Sequence, residues 1–158
     1  MRDQLELRAL DPVGRCLIRR LMVPRIYYAA DWPGIADGKI DLLAIDRNGV
    51  GDAHLVEIRR TAKEAVACAP RLLAGRAPYR WVAYFRDSQA IANNAEISNE
   101  HLYIPGSPGR IGLIEIAEQA TDELIANVRL TAERFATPVY EMATSFSNTH
   151  EAQIQFDG

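Results

Sequence analysis

The amino-acid sequence predicts an α/β protein in which helices flank a small mixed β-sheet. Three observations carry this expectation. Segments with helical and strand-like patterning follow the order helix, two strands in a hairpin, helix, strand, helix, strand, helix, which suits a sandwich around a mixed sheet. The hairpin carries Asn48-Gly49 between two apolar runs, a strong turn signal. The segment after it opens with Thr61 and, three residues on, Glu64, the signature of a capping box.

The elements follow in order. Asp11 can cap a helix and Pro12 suits a first helical position. Leu17, Ile18, Leu21 and Met22 then form an apolar stripe that Pro24 ends, and residues 2–9 read as a short separate helix. Residues 25–30 read as a strand and 31–38 as a loop. Residues 39–46, KIDLLAID, are apolar on both faces, as in a central strand, and 53–60 return as its partner. Residues 61–75 form the capped helix, which Gly75 can stop and in which Pro70 predicts a kink or break. Residues 79–85 and 110–117 are strands, 88–97 a helix, and 121–136 an amphipathic helix. The tail, 138–158, is weakly patterned, although 151–156 alternate like an edge strand.

The chain has 158 residues, enough for one domain, 1–158, with a substantial core. No apolar run reaches the roughly 18 residues of a membrane helix, and the charged N-terminus lacks a signal-peptide pattern. Cys16 and Cys68 sit alone in helix-like segments and read as buried thiols. A cytoplasmic protein with no membrane partner is the expectation. The net charge of −3 argues mildly against a nucleic-acid partner, but its distribution is uneven: residues 1–86 carry a balance of +5 and residues 87–158 a balance of −8. Arg outnumbers Lys 16 to 2. An arginine-rich half suits a phosphate-facing side, since guanidinium forks match phosphates. A GC-rich genome would produce the same bias.

Charges inside the hairpin strands pose the functional question. Alternation puts Glu57 and Arg59 on one face of their strand, and Asp41 on the face shared by Lys39, Leu43 and Ile45. Antiparallel pairing brings Asp41, early in the first strand, and Glu57, late in the second, to the same end of the sheet. Two converging carboxylates can hold a hard divalent cation such as Mg²⁺ (or Mn²⁺), with water and substrate phosphate completing its shell.

The stretch GKIDLLAIDRNGVGDAHLVEIRR resembles the core of the PD-(D/E)XK nuclease superfamily, with its restriction-endonuclease-like fold. Asp41 matches the first Asp, and Glu57-Ile58-Arg59 occupies the E-x-K. The order of elements over roughly residues 11–135 follows the family as well. The resemblance implies a three-layer α/β/α sandwich, Mg²⁺-dependent hydrolysis of nucleic acid (DNA foremost), metal ligation by Asp41 and Glu57, and a homodimer if both strands of a duplex are cut. Arg15, Arg19, Arg20, Arg60 and Arg71 are candidates to track the phosphate backbone. Families of this type sometimes draw another acid from the first helix, for which Glu6 and Asp11 are candidates.

Two departures stand out. Ile40 precedes Asp41 in place of Pro. Arg59 replaces the motif Lys, and with a pKa above about 12 it cannot act as a general base. It can orient water or neutralise a phosphate. The chain's two lysines, Lys39 and Lys63, lie close by and either could stand in, though Lys63 also reads as a solvated helix residue. The competing expectation is an ion pair of Asp41 or Glu57 with Arg59, in a catalytically degenerate fold that binds nucleic acid or protein. His54, His101 and His150 lack metal-ligand spacing and read as surface or loop residues, and Asp37 reads as a turn residue. Tyr27, Tyr28 and Trp32 could stack on bases or pack in the core. Glu115, inside an apolar strand, has no evident partner.

Overall fold

Alternating apolar side chains bury both faces of a sheet, and among the described residues one helix covers each face. In the computed structural model of the chain, the described residues are 4–21, 25–32, 35, 39–45, 53–74, 77–86, 109–135 and 154–155. The elements are α1 (Gln4–Leu21), β1 (Arg25–Asp31), β2 (Lys39–Ile45), β3 (Ala53–Arg59), α2 (Ala62–Ala74), β4 (Tyr79–Phe85), β5 (Gly112–Glu118), β6 (Leu124–Leu130) and β7 (Ile154–Gln155). The chain is therefore α/β. The strand order is β6-β5-β4-β3-β2-β1-β7. β3, β4 and β5 run parallel in the middle, and every other pairing is antiparallel. The sheet is thus mixed, and β7 is the edge strand expected within 151–156.

Leu43, Ile45, Leu55 and Val82 pack with Ala65, Cys68, Ala69 and Leu72 of α2 on one face. Leu42, Ala44, Val56, Ile58, Trp81, Ala83, Ile114 and Ile116 pack with Ala9, Val13, Cys16 and Leu17 of α1 on the other. Burial of both faces explains why the middles of β2 and β3 carry apolar residues on either side of the sheet. Gly112 lets the two layers close. A Cβ there would collide with the Trp81 ring and stand 2.7 Å from the Ala132 backbone nitrogen.

Four expectations need correction. Residues 2–9 and 12–22 do not form separate helices: α1 runs from Gln4 to Leu21 through Pro12. Proline removes a hydrogen bond within the helix, but Ala9, Val13 and Leu17 form one buried stripe across it, and that stripe holds the two halves in line. Asp11 is accordingly not a cap. It is exposed and pairs with Arg15 one turn on, at 2.9 Å. Likewise α2 passes through Pro70 without a break.

The largest correction concerns 121–136, expected as an amphipathic helix. It contains strand β6, paired antiparallel with β5 after a turn in which the Gln119 N–H bonds to Glu123 O at 2.8 Å. Leu124, Ala126 and Val128 also fit a period of two, and that face is buried beneath α1. A register shift between Leu113 and Ile114 carries Leu130 to the α2 side, where it packs beside Leu113. The 88–97 helix, the Asn48-Gly49 turn, Gly75, Asp37, His101 and His150 lie outside the described residues.

Candidate functional site

The site forms where the β2–β3 ladder ends. The last paired residues there are Leu42 and Val56, so Asp41 and Glu57 stand opposite each other one step further. Both are on the α2 side of the sheet, and their side chains are 1% exposed. Asp41 Oδ2 accepts the Ile58 N–H at 2.7 Å, so the carboxylate supplies the acceptor that the strand's backbone no longer does. On the neighbouring strand, Ala29 opposite Asp41 has a φ of 51° and is absent from an otherwise continuous β1–β2 register. A non-glycine residue in the left-handed region is uncommon and costs energy.

Arg59 folds back over the pair. Its Nη1 donates to Asp41 Oδ2 at 3.1 Å, to Glu57 Oε2 at 2.9 Å and to the Ile58 carbonyl at 2.9 Å. Three oxygens therefore surround one cationic nitrogen. Arg71 reaches in from α2: its Nε donates to Glu57 Oε1 at 3.0 Å and its Nη2 to Lys39 O at 3.1 Å. Burial is the larger influence on Glu57 and Asp41 adds to it, so the carboxyl is pushed up to about 7 despite two guanidinium neighbours. Burial also disfavours the charge on Arg59, but Glu57 and Asp41 help to outweigh it and its pKa is raised. Cys68 lies close enough to feel these groups, and burial pushes its thiol up to about 12.

As donors, Asp41 Oδ2, Glu57 Oε2 and the Ile58 carbonyl are three hard oxygens, a set that suits Mg²⁺. Among the described residues there is no group of three or more His, Cys, Asp and Glu side chains that could hold a metal. A cation here would need water or substrate to complete its shell, and it would meet Arg59 at the same point.

The other candidates divide across the sheet. Lys39 and Lys63 are exposed on the rim of the site, at the start of β2 and in the first turn of α2. Arg60 is half-buried and lies over the Phe85 ring at 5.1 Å. Its N–H donates to Glu64 at 3.2 Å, while the Glu64 N–H donates to Thr61 Oγ1 at 3.1 Å. The capping pair is thus present, with its return bond moved one residue upstream. Arg15, Arg19, Arg20, Glu6 and Asp11 all lie on α1, which packs on the opposite face. Arg19 and Arg20 line a groove of about 270 Å³ with Cys16 and residues 126–128 of β6.

Sequence reasoning missed two features. His54 is buried rather than at the surface: its Nδ1 accepts the Trp81 Nε1–H at 3.1 Å and its ring stacks on Tyr79 at 4.4 Å. Glu115 does have partners, Arg129 at 2.8 Å and Arg86 at 3.9 Å. The strand register carries Arg59 to Tyr84 and Tyr84 to Glu115, so this second ionic group continues the polar row of the site across the sheet. An acid inside an apolar strand was the available signal. Of the two roles open to the aromatic residues, packing is the one seen: Trp32 and Tyr27 are buried, and Tyr28 is half-buried.

No known protein family matches the chain, and no curated protein is similar to it. Among solved structures, it resembles the SPO1766 protein of unknown function from Silicibacter pomeroyi, with a TM-score of 0.55 at 14% identity over 94% of this chain and 88% of that one. At this identity the likeness concerns the fold. Among the described residues, no helix is long and apolar enough to cross a membrane.

Proposed function

We propose that the chain is a restriction-endonuclease-like domain, a three-layer α/β/α sandwich, whose Asp41–Glu57 site serves Mg²⁺-dependent hydrolysis of nucleic-acid phosphodiesters, DNA foremost. The observation that carries this reading is the convergence of Asp41 Oδ2, Glu57 Oε2 and the Ile58 carbonyl on one cationic point at 2.9–3.1 Å. The order α1, hairpin, α2, β4 agrees with it. The site also lies at the carboxyl end of the parallel strands, where open α/β sheets bind ligands.

When bound, Mg²⁺ polarises the phosphoryl oxygen and acidifies a coordinated water. The protein's own residues do the rest. Asp41 and Glu57 hold the cation, and Arg71 fixes the orientation of Glu57. Lys39, Lys63 and Arg86 are exposed and supply positive charge that attracts the phosphate backbone, while Arg60 lies over Phe85 on the α1 face. Arg59 cannot take a proton from water, so Lys39 and Lys63 are the candidates to stand in for the motif lysine.

One observation favours a second reading. Arg59 already pairs with one oxygen of each carboxylate, as expected of a catalytically degenerate domain that binds nucleic acid or protein without cutting. Cleavage of labelled single- and double-stranded DNA and RNA with Mg²⁺ or Mn²⁺ separates the two. Under the first reading wild type cuts and Asp41→Asn, still folded, does not. Equal cleavage by both proteins would refute the assignment of Asp41, and binding without cleavage in either would favour the second reading.

A further inference from the structure

The three-oxygen cage and Arg59 are parts of one chain, and they face each other across only a few bonds. Glu57 and Ile58, two of the three cage residues, immediately precede Arg59. The third, Asp41, is held by the Ile58 N–H. The guanidinium therefore meets the cage without reorganising the backbone. It remains 23% exposed, while the carboxylates it covers are 1% exposed. Arg59 is thus both the occupant of the cage and its cover.

We propose that the Arg59 guanidinium is a built-in counter-ion which occupies the cation position, so that a divalent cation enters only as Arg59 leaves. This rests on the reading of Asp41 and Glu57 as a cation-binding pair. Mg²⁺ binds oxygen at about 2.0–2.1 Å. Nη1 stands 2.9–3.1 Å from the same three oxygens, so the two cations cannot share the cage. Their charges would also repel strongly in a site shielded from water. Entry of the metal must break all three Nη1 hydrogen bonds and send the guanidinium towards solvent. There an anionic phosphodiester offers it a new bidentate partner. A phosphate at the rim would therefore favour the open cage, and the metal and the phosphodiester would bind cooperatively through a single side chain.

The test is Mn²⁺ binding to the purified chain, followed by electron paramagnetic resonance and by thermal unfolding, first without nucleic acid and throughout without any activity readout. Proteins compared are wild type, Arg59→Gln, Arg59→Ala and the double variant Arg59→Gln/Glu57→Gln. Arg59→Gln keeps most of the side chain's length and a hydrogen-bonding end, which guards against loss of the fold in Arg59→Ala. The expected result is that the single variants bind Mn²⁺ roughly 5- to 150-fold tighter than wild type, the usual range for a coupling between two ligands. The double variant loses the gain. A non-cleavable phosphorothioate oligonucleotide then tightens Mn²⁺ binding to wild type and leaves Arg59→Gln unchanged. Equal Mn²⁺ affinity in wild type and Arg59→Gln would overturn the counter-ion role while leaving the cation site standing. Absence of Mn²⁺ binding in every protein would overturn both.

Discussion

Arg71 Nε lies 3.0 Å from Glu57 Oε1, on the opposite side of that carboxylate from Arg59. The same guanidinium bonds to Lys39 O at 3.1 Å. One side chain thus ties α2 to both hairpin strands and leaves the other Glu57 oxygen facing the cage.

Arg71→Ala should therefore destabilise the fold. It removes one of the two guanidinium partners of a carboxyl that is 1% exposed. A hydrogen bond to a charged group contributes about 1.5–3 kcal/mol, and the partial exposure of Arg71 puts the expected loss toward the lower end. Urea unfolding would show a lower midpoint at unchanged slope. A midpoint equal to wild type would mean that Arg71 is not a brace and is free for another ligand.

The raised carboxyl of Glu57 predicts how stability depends on pH. In the unfolded chain a glutamate titrates near about 4.3, whereas burial first, and Asp41 next, push Glu57 up to about 7 in the fold. Between these values the folded chain binds a proton that the unfolded chain has released. Its contribution to stability is thus complete below about pH 4.3, declines as pH rises toward about 7, and is gone above it. The slope from this one group approaches about 1.4 kcal/mol per pH unit. Glu57→Gln, measured by denaturant unfolding from pH 5 to 7, should lose that decline relative to wild type. Parallel curves for the two proteins would contradict it.

Gly112→Ala tests the packing beneath β6. The added methyl would meet the Trp81 ring and the Ala132 backbone, neither of which is the far end of a flexible chain. Overpacking of this kind costs typically about 1–3 kcal/mol. A lower melting temperature with unchanged far-ultraviolet circular dichroism is expected, and a melting temperature equal to wild type would show that the layers have room to separate.

The hairpin and its charges were legible because their signals are local. Alternation assigns Asp41 and Glu57 their faces, and Asn48-Gly49 implies antiparallel pairing, which brings the two acids to one end. The helix after them was equally legible from Thr61 and Glu64. The reading failed at 121–136 because LIANVRL fits periods of both two and 3.6 residues. It failed at Pro12 because a local helix-breaker was weighed without the buried stripe that passes it. It missed the burial of His54 because an imidazole is at home in either place until its neighbours are known.

By itself, then, the sequence determined the α/β class, the positions of β1 to β4 and α2, and the meeting of two acids beside Arg59. These depend on periodicity, capping and turn chemistry, which act over a few residues. Only the tertiary structure decided that 124–130 is a strand, since the free edge of β5 and the cover of α1 choose between two periods. Only it turned Arg71 inward to Glu57, separated the arginines of α1 from the site, and set one Arg59 nitrogen against three oxygens. Such relations join residues distant in sequence, and their energies depend on burial that exists only once the sheet has closed.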